Sequence, residues 1–428
     1  MARIAMIGAG SVVFAKRLIG DILSFPELTD STIVLMDIDK ERLDFTTALA
    51  KRMVEQEKLA MQIEATLDRH EALKDADYVL IMILVGGLEA HELDIEIPLK
   101  YGIKQTVGDT LGPGGVFRAL RTIPVMLDIC KDMEELCPEA WLINYTNPMA
   151  MNCWAMNEGS RIKNVGLCHS VQGTAARLAE YIDVPAEEVS HWVAGINHMS
   201  WFLEFKWNGQ DAYPLLWEKM KDPEIYARDA VRFEMMRCLG YFATESSHHM
   251  SEYVPYFLKR EELIEKFNVP VLRDLARRHE RQEAYYETIQ KQAFGEERIE
   301  IRRTQEYASY IIHSLETGIP RRINGNVRNT GLIANLPWGC AVEVPCLVDG
   351  TGIHPCYVGE LPPQCAALNR SNVNVQELAV KAALEGDREK AFQAVLVDPL
   401  TSAVLSTAEI REMVEEMFQA ETEYLPQF

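Results

Sequence analysis

No CxxC pair occurs among the nine cysteines of this 428-residue chain, and their count is odd. A secreted disulfide framework is therefore not expected, and a reducing cytoplasm is the expected compartment. No run of 18 consecutive apolar residues is present, so no simple membrane-spanning helix is expected. Residues 1–7 form too short an apolar run for a signal peptide. Basic charge is scarce. The 43 Lys and Arg stand against 64 Asp and Glu, a formal net charge of −21. That surplus argues against nucleic acid or an anionic membrane surface as partner, and serves solubility instead. Low-complexity linkers and internal repeats are also missing. What remains is ordinary globular composition, 48% hydrophobic and 25% charged, with length enough for two or three domains.

The first half alternates short apolar runs with amphipathic stretches. Residues 2–7, 33–36, 78–84 and 141–145 read as strands, and 12–24 and 40–57 as helices. This alternation predicts an α/β fold with a parallel, doubly wound sheet, which binds ligands at the carboxyl ends of its strands. After about Gly195 the pattern changes. Residues 213–318 carry Glu, Lys, Arg, Met and aromatics at helical spacing. Residues 342–348 and 359–361 read as strands around the turn at 349–352, and helices are expected over 375–385 and 407–418. The expected organisation is an N-terminal domain over 1–195 and an α+β substrate, metal and oligomerisation domain over 196–428, with a cleft between them.

Gly8-Ala9-Gly10-Ser11 follows the first strand and opens the first helix. Glycines there let a pyrophosphate approach the helix N-terminus. The third glycine of the usual fingerprint is replaced by Val13. Asp37 ends the second strand, where a carboxylate bonds a ribose 2′-hydroxyl and repels a 2′-phosphate, so NAD is favoured over NADP. The loop 108–115 sets four glycines and Pro113 around Asp109, either as an anion-friendly nest or as a turn capping a helix. Asn147 follows another strand and either caps a helix or projects an amide into the cleft. Cys168 and His198 each follow a short apolar run. They suit a divalent metal with open positions for substrate, or else are packed core residues. In the polar stretch 240–253, the pair His248-His249 with Glu252 reads as a capped helix, a source of metal ligands or a substrate contact.

Taken in order, Gly8-Ala9-Gly10-Ser11, Asp37-Ile38-Asp39, the 108–115 loop, Asn147-Pro148-Met149, Cys168-His169-Ser170-Val171 and Gly195-Ile196-Asn197-His198 resemble glycoside hydrolase family 4 over essentially the whole chain. Thr244-Glu245-Ser246-Ser247 and Asn326-Val327-Arg328-Asn329 resemble its alpha-galactosidase branch. The resemblance implies a Rossmann domain plus a substrate domain, as in lactate and malate dehydrogenases. It implies NAD and Mn²⁺, a small-molecule sugar substrate and a homodimer or homotetramer. The implied chemistry oxidises the sugar at C3, removes the C2 proton, eliminates the glycosidic oxygen and adds water, with no net redox.

By that resemblance Cys168 and His198 are metal ligands, and Asn147 binds substrate. Tyr241 is the base, Asp109 influences it, and Gly8, Gly10, Ser11 and Asp37 hold the cofactor. His249 joins the substrate contacts. His169 stands where phospho-glycosidases carry an acidic proton donor, so it either donates the proton or orients the site by a hydrogen bond. His91 stands at or near the position of a phosphate-gripping arginine, which favours an unphosphorylated sugar. Alternatives within the family are alpha-galacturonidase and alpha-glucuronidase. Outside it they are a 2-hydroxyacid dehydrogenase, which gives no reason for Cys168 or the Asp109 nest, and a non-catalytic NAD sensor, which needs neither metal ligands nor Tyr241.

Overall fold

The structure is a computed structural model that describes residues 2–272, 286–287, 289–295, 298–426 and 428. Six strands run parallel in the first half: β1 (Arg3–Ile7), β2 (Thr32–Met36), β3 (Gln62–Thr66), β4 (Tyr78–Ile81), β5 (Trp141–Asn144) and β6 (Asn164–Gly166). Their spatial order is β3-β2-β1-β4-β5-β6, the doubly wound arrangement. β1 and β4 lie in the middle and are buried almost end to end, which is why their sequences are unbroken apolar runs. The helix Lys40–Glu57 lies where its pattern places it. Asp39 caps it by accepting hydrogen bonds from the Glu41 and Arg42 amides, and Lys58 ends it at φ +53°.

The sheet does not stop at β6. Strands β7 (Val189–Ile196), β8 (Met199–Trp207), β9 (Gln210–Asp211), β10 (Arg321–Arg328), β11 (Ala341–Asp349) and β12 (Gly352–Pro355) extend it. Beyond β6 the order is β10-β11-β7-β8-β9, all antiparallel, with β12 also on β11. Both halves of the chain therefore share one sheet, and β7 runs across residue 195. β10 is hard to read from sequence because its buried positions include Asn324 and Asn326, which hide the apolar alternation.

One expected strand is corrected. Residues 359–361 form no strand, and Gly359 only bridges to Ile333. Asp349 closes the preceding turn by accepting from the Thr351 amide at 2.8 Å. Antiparallel pairing then starts at once, Asp349 opposite Gly352. The 213–318 stretch is helical at Tyr213–Lys219, Pro223–Arg228, Ala230–Leu239, Ser247–Tyr253, Glu261–Lys266 and Tyr307–Thr317. Its portion 273–285 lies outside the described residues. No described helix is long and apolar enough to cross a membrane. One large core runs under the whole sheet, and a smaller aromatic core of Tyr181, Phe202, Phe205, Phe233 and Phe242 supports the β7–β8 hairpin.

Candidate active site

The carboxyl ends of β1, β2, β4, β5 and β6 deliver Gly8, Asp37, the 83–87 segment, Asn147 and Cys168 to one edge of the sheet. At the first of these, Gly8 has φ +87°, and an added Cβ would lie 2.6 Å from the Met82 carbonyl oxygen. A Cβ on Gly10 would lie 2.6 Å from Asp37 Oδ2, which accepts a hydrogen bond from the Gly10 amide at the same distance. Bare backbone is therefore required at both positions. Ser11 stands exposed at the start of helix Val12–Leu23 and makes no side-chain cap. Ile38, beside Asp37, is 91% exposed, an open apolar surface next to the carboxylate. Together these form an open cradle of backbone amides and one carboxylate, suited to a dinucleotide.

A second group of residues converges from five distant segments. His249 lies between two carboxylates. Its Nδ1 is 2.6 Å from Glu245 Oε2, and its Nε2 is 3.6 Å from Asp109 Oδ1. Asn147 Nδ2 donates to Asp109 Oδ2 at 2.9 Å, and Arg118 Nε donates to the Asn147 carbonyl at 3.2 Å. The His198 and His249 ring centres are 4.0 Å apart. His198 occupies the tip of the β7–β8 hairpin at φ +63°, and Glu245 sits at φ +74°, both left-handed conformations that such residues rarely adopt. Burial disfavours charge on His249, yet Glu245 and Asp109 together hold its imidazolium well above the ordinary histidine range. Burial alone would raise Asp109 and Glu245, but the His249 charge beside both, with its 2.6 Å bond to Glu245, keeps them well below the ordinary carboxylate range. His198 is the reverse case. Burial, then the His249 charge, lowers it to about 3.

His198 is therefore a buried neutral imidazole, and its Nδ1 has no hydrogen-bond partner. Cys168 is buried in the loop after β6. Burial, then the Glu343 and Glu245 carboxyls, holds it far above the usual thiol range. Glu245 thus acts electrostatically on both Cys168 and His198. A neutral imidazole with a free nitrogen, a thiol and a nearby carboxylate make a donor set that fits a divalent transition metal, whose charge would favour the thiolate. Among the described residues no three His, Cys, Asp or Glu side chains form a complete metal cage. The protein contribution would be the pair, with positions left open.

Other residues singled out from sequence take different places. His169 is exposed at the start of helix Ser170–Tyr181, with Nδ1 3.7 Å from the buried Glu306. His91 is buried, 3.7 Å from Asp94, which is bound twice by Arg121 in a buried charge cluster that also holds Glu421. Tyr241 is seated away from the His249 group. Thr244 and Phe242 pair with Ser200 and Phe202, so Tyr241 lies three residues, about 10 Å, further along the chain. Its ring meets Tyr213 edge-on at 6.3 Å.

The tyrosine at the group is Tyr253. Its ring centre is 6.4 Å from that of His198, and its hydroxyl donates to Thr110 Oγ1, next to Asp109, at 3.1 Å. Glu252 holds backbone instead. Its Oε1 accepts from the consecutive amides of Thr106 (2.5 Å), Val107 (2.8 Å) and Gly108 (3.0 Å), tying the Asp109 loop to the His249 helix. Sequence reasoning missed Arg118, Tyr253 and the pairing role of Glu245. The (i, i+4) spacing of Glu245 and His249 was the available signal.

The family 4 glycosyl hydrolase signature matches residues 3–184, and that of its C-terminal domain matches residues 193–401. The chain is 43% identical to an alpha-galactosidase of Bacillus subtilis (strain 168) over the full length of both. It is 40% identical to an alpha-galactosidase of Rhizobium meliloti (strain 1021), over all of this chain and 89% of that one. The 6-phospho-beta-glucosidase of Thermotoga maritima, solved with manganese, NAD⁺ and glucose-6-phosphate, superposes with a TM-score of 0.83 at 25% identity, covering 100% of both chains. Signatures running through both halves of the shared sheet, with full-length identity to two alpha-galactosidases, place this chain in glycoside hydrolase family 4, as a glycosidase.

Proposed function

We propose that the chain hydrolyses unphosphorylated alpha-galactosides with bound NAD and Mn²⁺, by oxidation at C3 and elimination across C1–C2. The observation that carries this reading is His198, a buried neutral imidazole with an unpartnered nitrogen beside an ionised Asp109–His249–Glu245 trio. Displacement at C1 by two carboxylates uses an acid and a base or nucleophile flanking the glycosidic bond. Here the two nearest carboxylates are both spent on one imidazolium. The galactoside assignment is supported by full-length identity of 43% and 40% to two alpha-galactosidases. Absence of a phosphate group is supported by His91, which faces Asp94 inside the protein where a phosphate grip would need a guanidinium.

When bound at the Gly8–Asp37 cradle, NAD would supply a hydride acceptor, and a divalent cation held by Cys168 and His198 would supply positive charge to the developing negative charge on the sugar. The chain's own residues do the rest. Asn147 and Asp109 present an amide and a carboxylate to the sugar hydroxyls, fixed to each other at 2.9 Å and anchored by Arg118. The His249 imidazolium keeps Asp109 ionised, so Asp109 accepts hydrogen bonds and does not donate them. Tyr253, beside His198 and bonded to Thr110, would take the C2 proton on its phenolic oxygen. Burial holds that phenol well above its ordinary value, so proton removal calls for positive charge nearby. His169, exposed and backed by Glu306, would give the proton to the leaving oxygen.

The test is hydrolysis of a panel of nitrophenyl glycosides, alpha-galacturonide included, with and without NAD, Mn²⁺ and thiol. Hydrolysis of the galactoside that needs all three additions is the expected result. Run in D₂O, the released galactose should carry deuterium at C2. Tyr253→Phe should suppress that label and lower kcat, whereas Tyr241→Phe should leave the label in place. Full activity in EDTA, or label-free galactose from a competent enzyme, would return the choice to displacement at C1.

A further inference from the structure

Five strands place one residue each in a straight row across the sheet. Gly166 on β6 pairs with Asn326 on β10, Asn326 with Glu343 on β11, Glu343 with Gly195 on β7, and Gly195 with Ser200 on β8. Asn326, Glu343 and Ser200 are fully buried. The row ends at the two loops of interest. Gly166 lies two residues before Cys168, and Ser200 two residues after His198.

Counting protons along the row gives an unusual result. Asn326 Nδ2 donates to the Gly166 carbonyl at 3.3 Å, which turns Asn326 Oδ1 towards the interior. Asn326 Oδ1 and Glu343 Oε1 are both buried, and neither has a donor among the described residues. Their side chains are direct partners in the register. At the other end the Ser200 hydroxyl has two acceptors in reach, Glu343 Oε2 at 2.8 Å and the Ile196 carbonyl at 3.0 Å, and only one proton. An ionised Glu343 would therefore leave Asn326 Oδ1 and Glu343 Oε1, buried on directly paired residues, both without a donor among the described residues. One proton on Oε1 satisfies both and leaves Oε2 free to accept from Ser200.

We infer that Glu343 is a neutral carboxylic acid and a positioning residue: its proton bonds Asn326 and so ties Gly166 before Cys168, while its other oxygen holds Ser200 after His198. Burial pushes this carboxyl up to about 7, outweighing the side-chain contacts with Ser200 and Asn326 that favour its ionised form. The inference rests on the metal reading only for what the two loops carry. The row and its proton count stand without it.

Glu343→Gln keeps the same shape, with an amide N–H for Asn326 and a carbonyl for Ser200. Glu343→Leu keeps volume and removes both bonds. The Leu variant should bind Mn²⁺ about 10–100-fold more weakly, as is typical when a group that orients metal ligands is lost. It should also exchange the backbone amides of residues 166–169 and 196–199 at least about tenfold faster. The Gln variant should stay within about threefold of the natural protein on both measures. The infrared difference between the natural protein and the Gln variant should contain a protonated-carboxyl stretch.

A Gln variant as impaired as the Leu variant, with no such stretch, would mean that Glu343 is ionised, and would overturn the inference. So would a Leu variant indistinguishable from the natural protein in amide exchange. If the natural protein bound no Mn²⁺, the metal reading would fail while exchange and the infrared band still decided the role of Glu343.

Discussion

The glycine cradle and the His249 group differ in how each is assembled. The cradle draws its residues from one stretch, 8–39, a single β–α–β unit whose parts are neighbours in sequence and in space. The His249 group takes Asp109, Asn147, Cys168, His198 and Glu245 from five segments. The cradle works through bare backbone and one carboxylate. The second group works through charges that hold each other in place, with a cationic His249 between anionic Asp109 and Glu245 and a neutral His198 against it. A local device can fail alone. A device built from five segments fails when any of the elements presenting them shifts.

The strongest test of this contrast is loss of one function without the other. Cys168→Ser should lower turnover by about 10³-fold or more, ~4 kcal/mol of barrier, with NAD binding by fluorescence titration nearly intact. If more than a tenth of the rate survived, Cys168 would be a packing residue.

Next in size is Glu252→Ala, which leaves the amides of Thr106, Val107 and Gly108 without their acceptor. Stability should fall by about 3 kcal/mol in denaturant titration, and kcat should fall with it because Asp109 loses its anchor. An unchanged midpoint would remove the clamp from this account.

Glu245→Gln should cost about 2 kcal/mol, with a pH signature. Asp109 and Glu245 have depressed values in the folded state, so their contribution is present above the unfolded carboxylate value, about 4, and is lost as pH falls through the folded values. His249 is raised, so its contribution is full below about 6.5 and is lost as pH rises through its folded value. The gap between variant and natural protein should therefore be widest between about pH 4 and 6.5 and shrink in stronger acid. A gap that grew on acidification would contradict the ionised trio.

The smallest expected effect is on the cradle. Gly8→Ala forces a side chain into φ +87° and against the Met82 carbonyl. NAD affinity should drop by about tenfold or somewhat more, while Mn²⁺ affinity stays unchanged. An equal loss of both would mean that the two regions are not separable.

Patterns of local origin were legible in the sequence. Alternating strands and helices, the Gly8-Ala9-Gly10-Ser11 turn, the helix Lys40–Glu57 and the chemical types at Cys168 and His198 all depend on neighbours a few residues away, and periodicity and turn chemistry report such neighbours. The union of both halves in one sheet was decided by the tertiary structure, because β10 carries buried asparagines in place of an apolar stripe. So was the placement of Tyr253, and not Tyr241, beside His198. Both are tyrosines in one polar stretch, and only the pairing of Ser200 with Thr244 and of Phe202 with Phe242 shows which one lies beside His198. The proton states were decided there too. Whether a carboxyl or an imidazole is charged depends on its burial and on partners far away in the chain, and no local pattern records those distances.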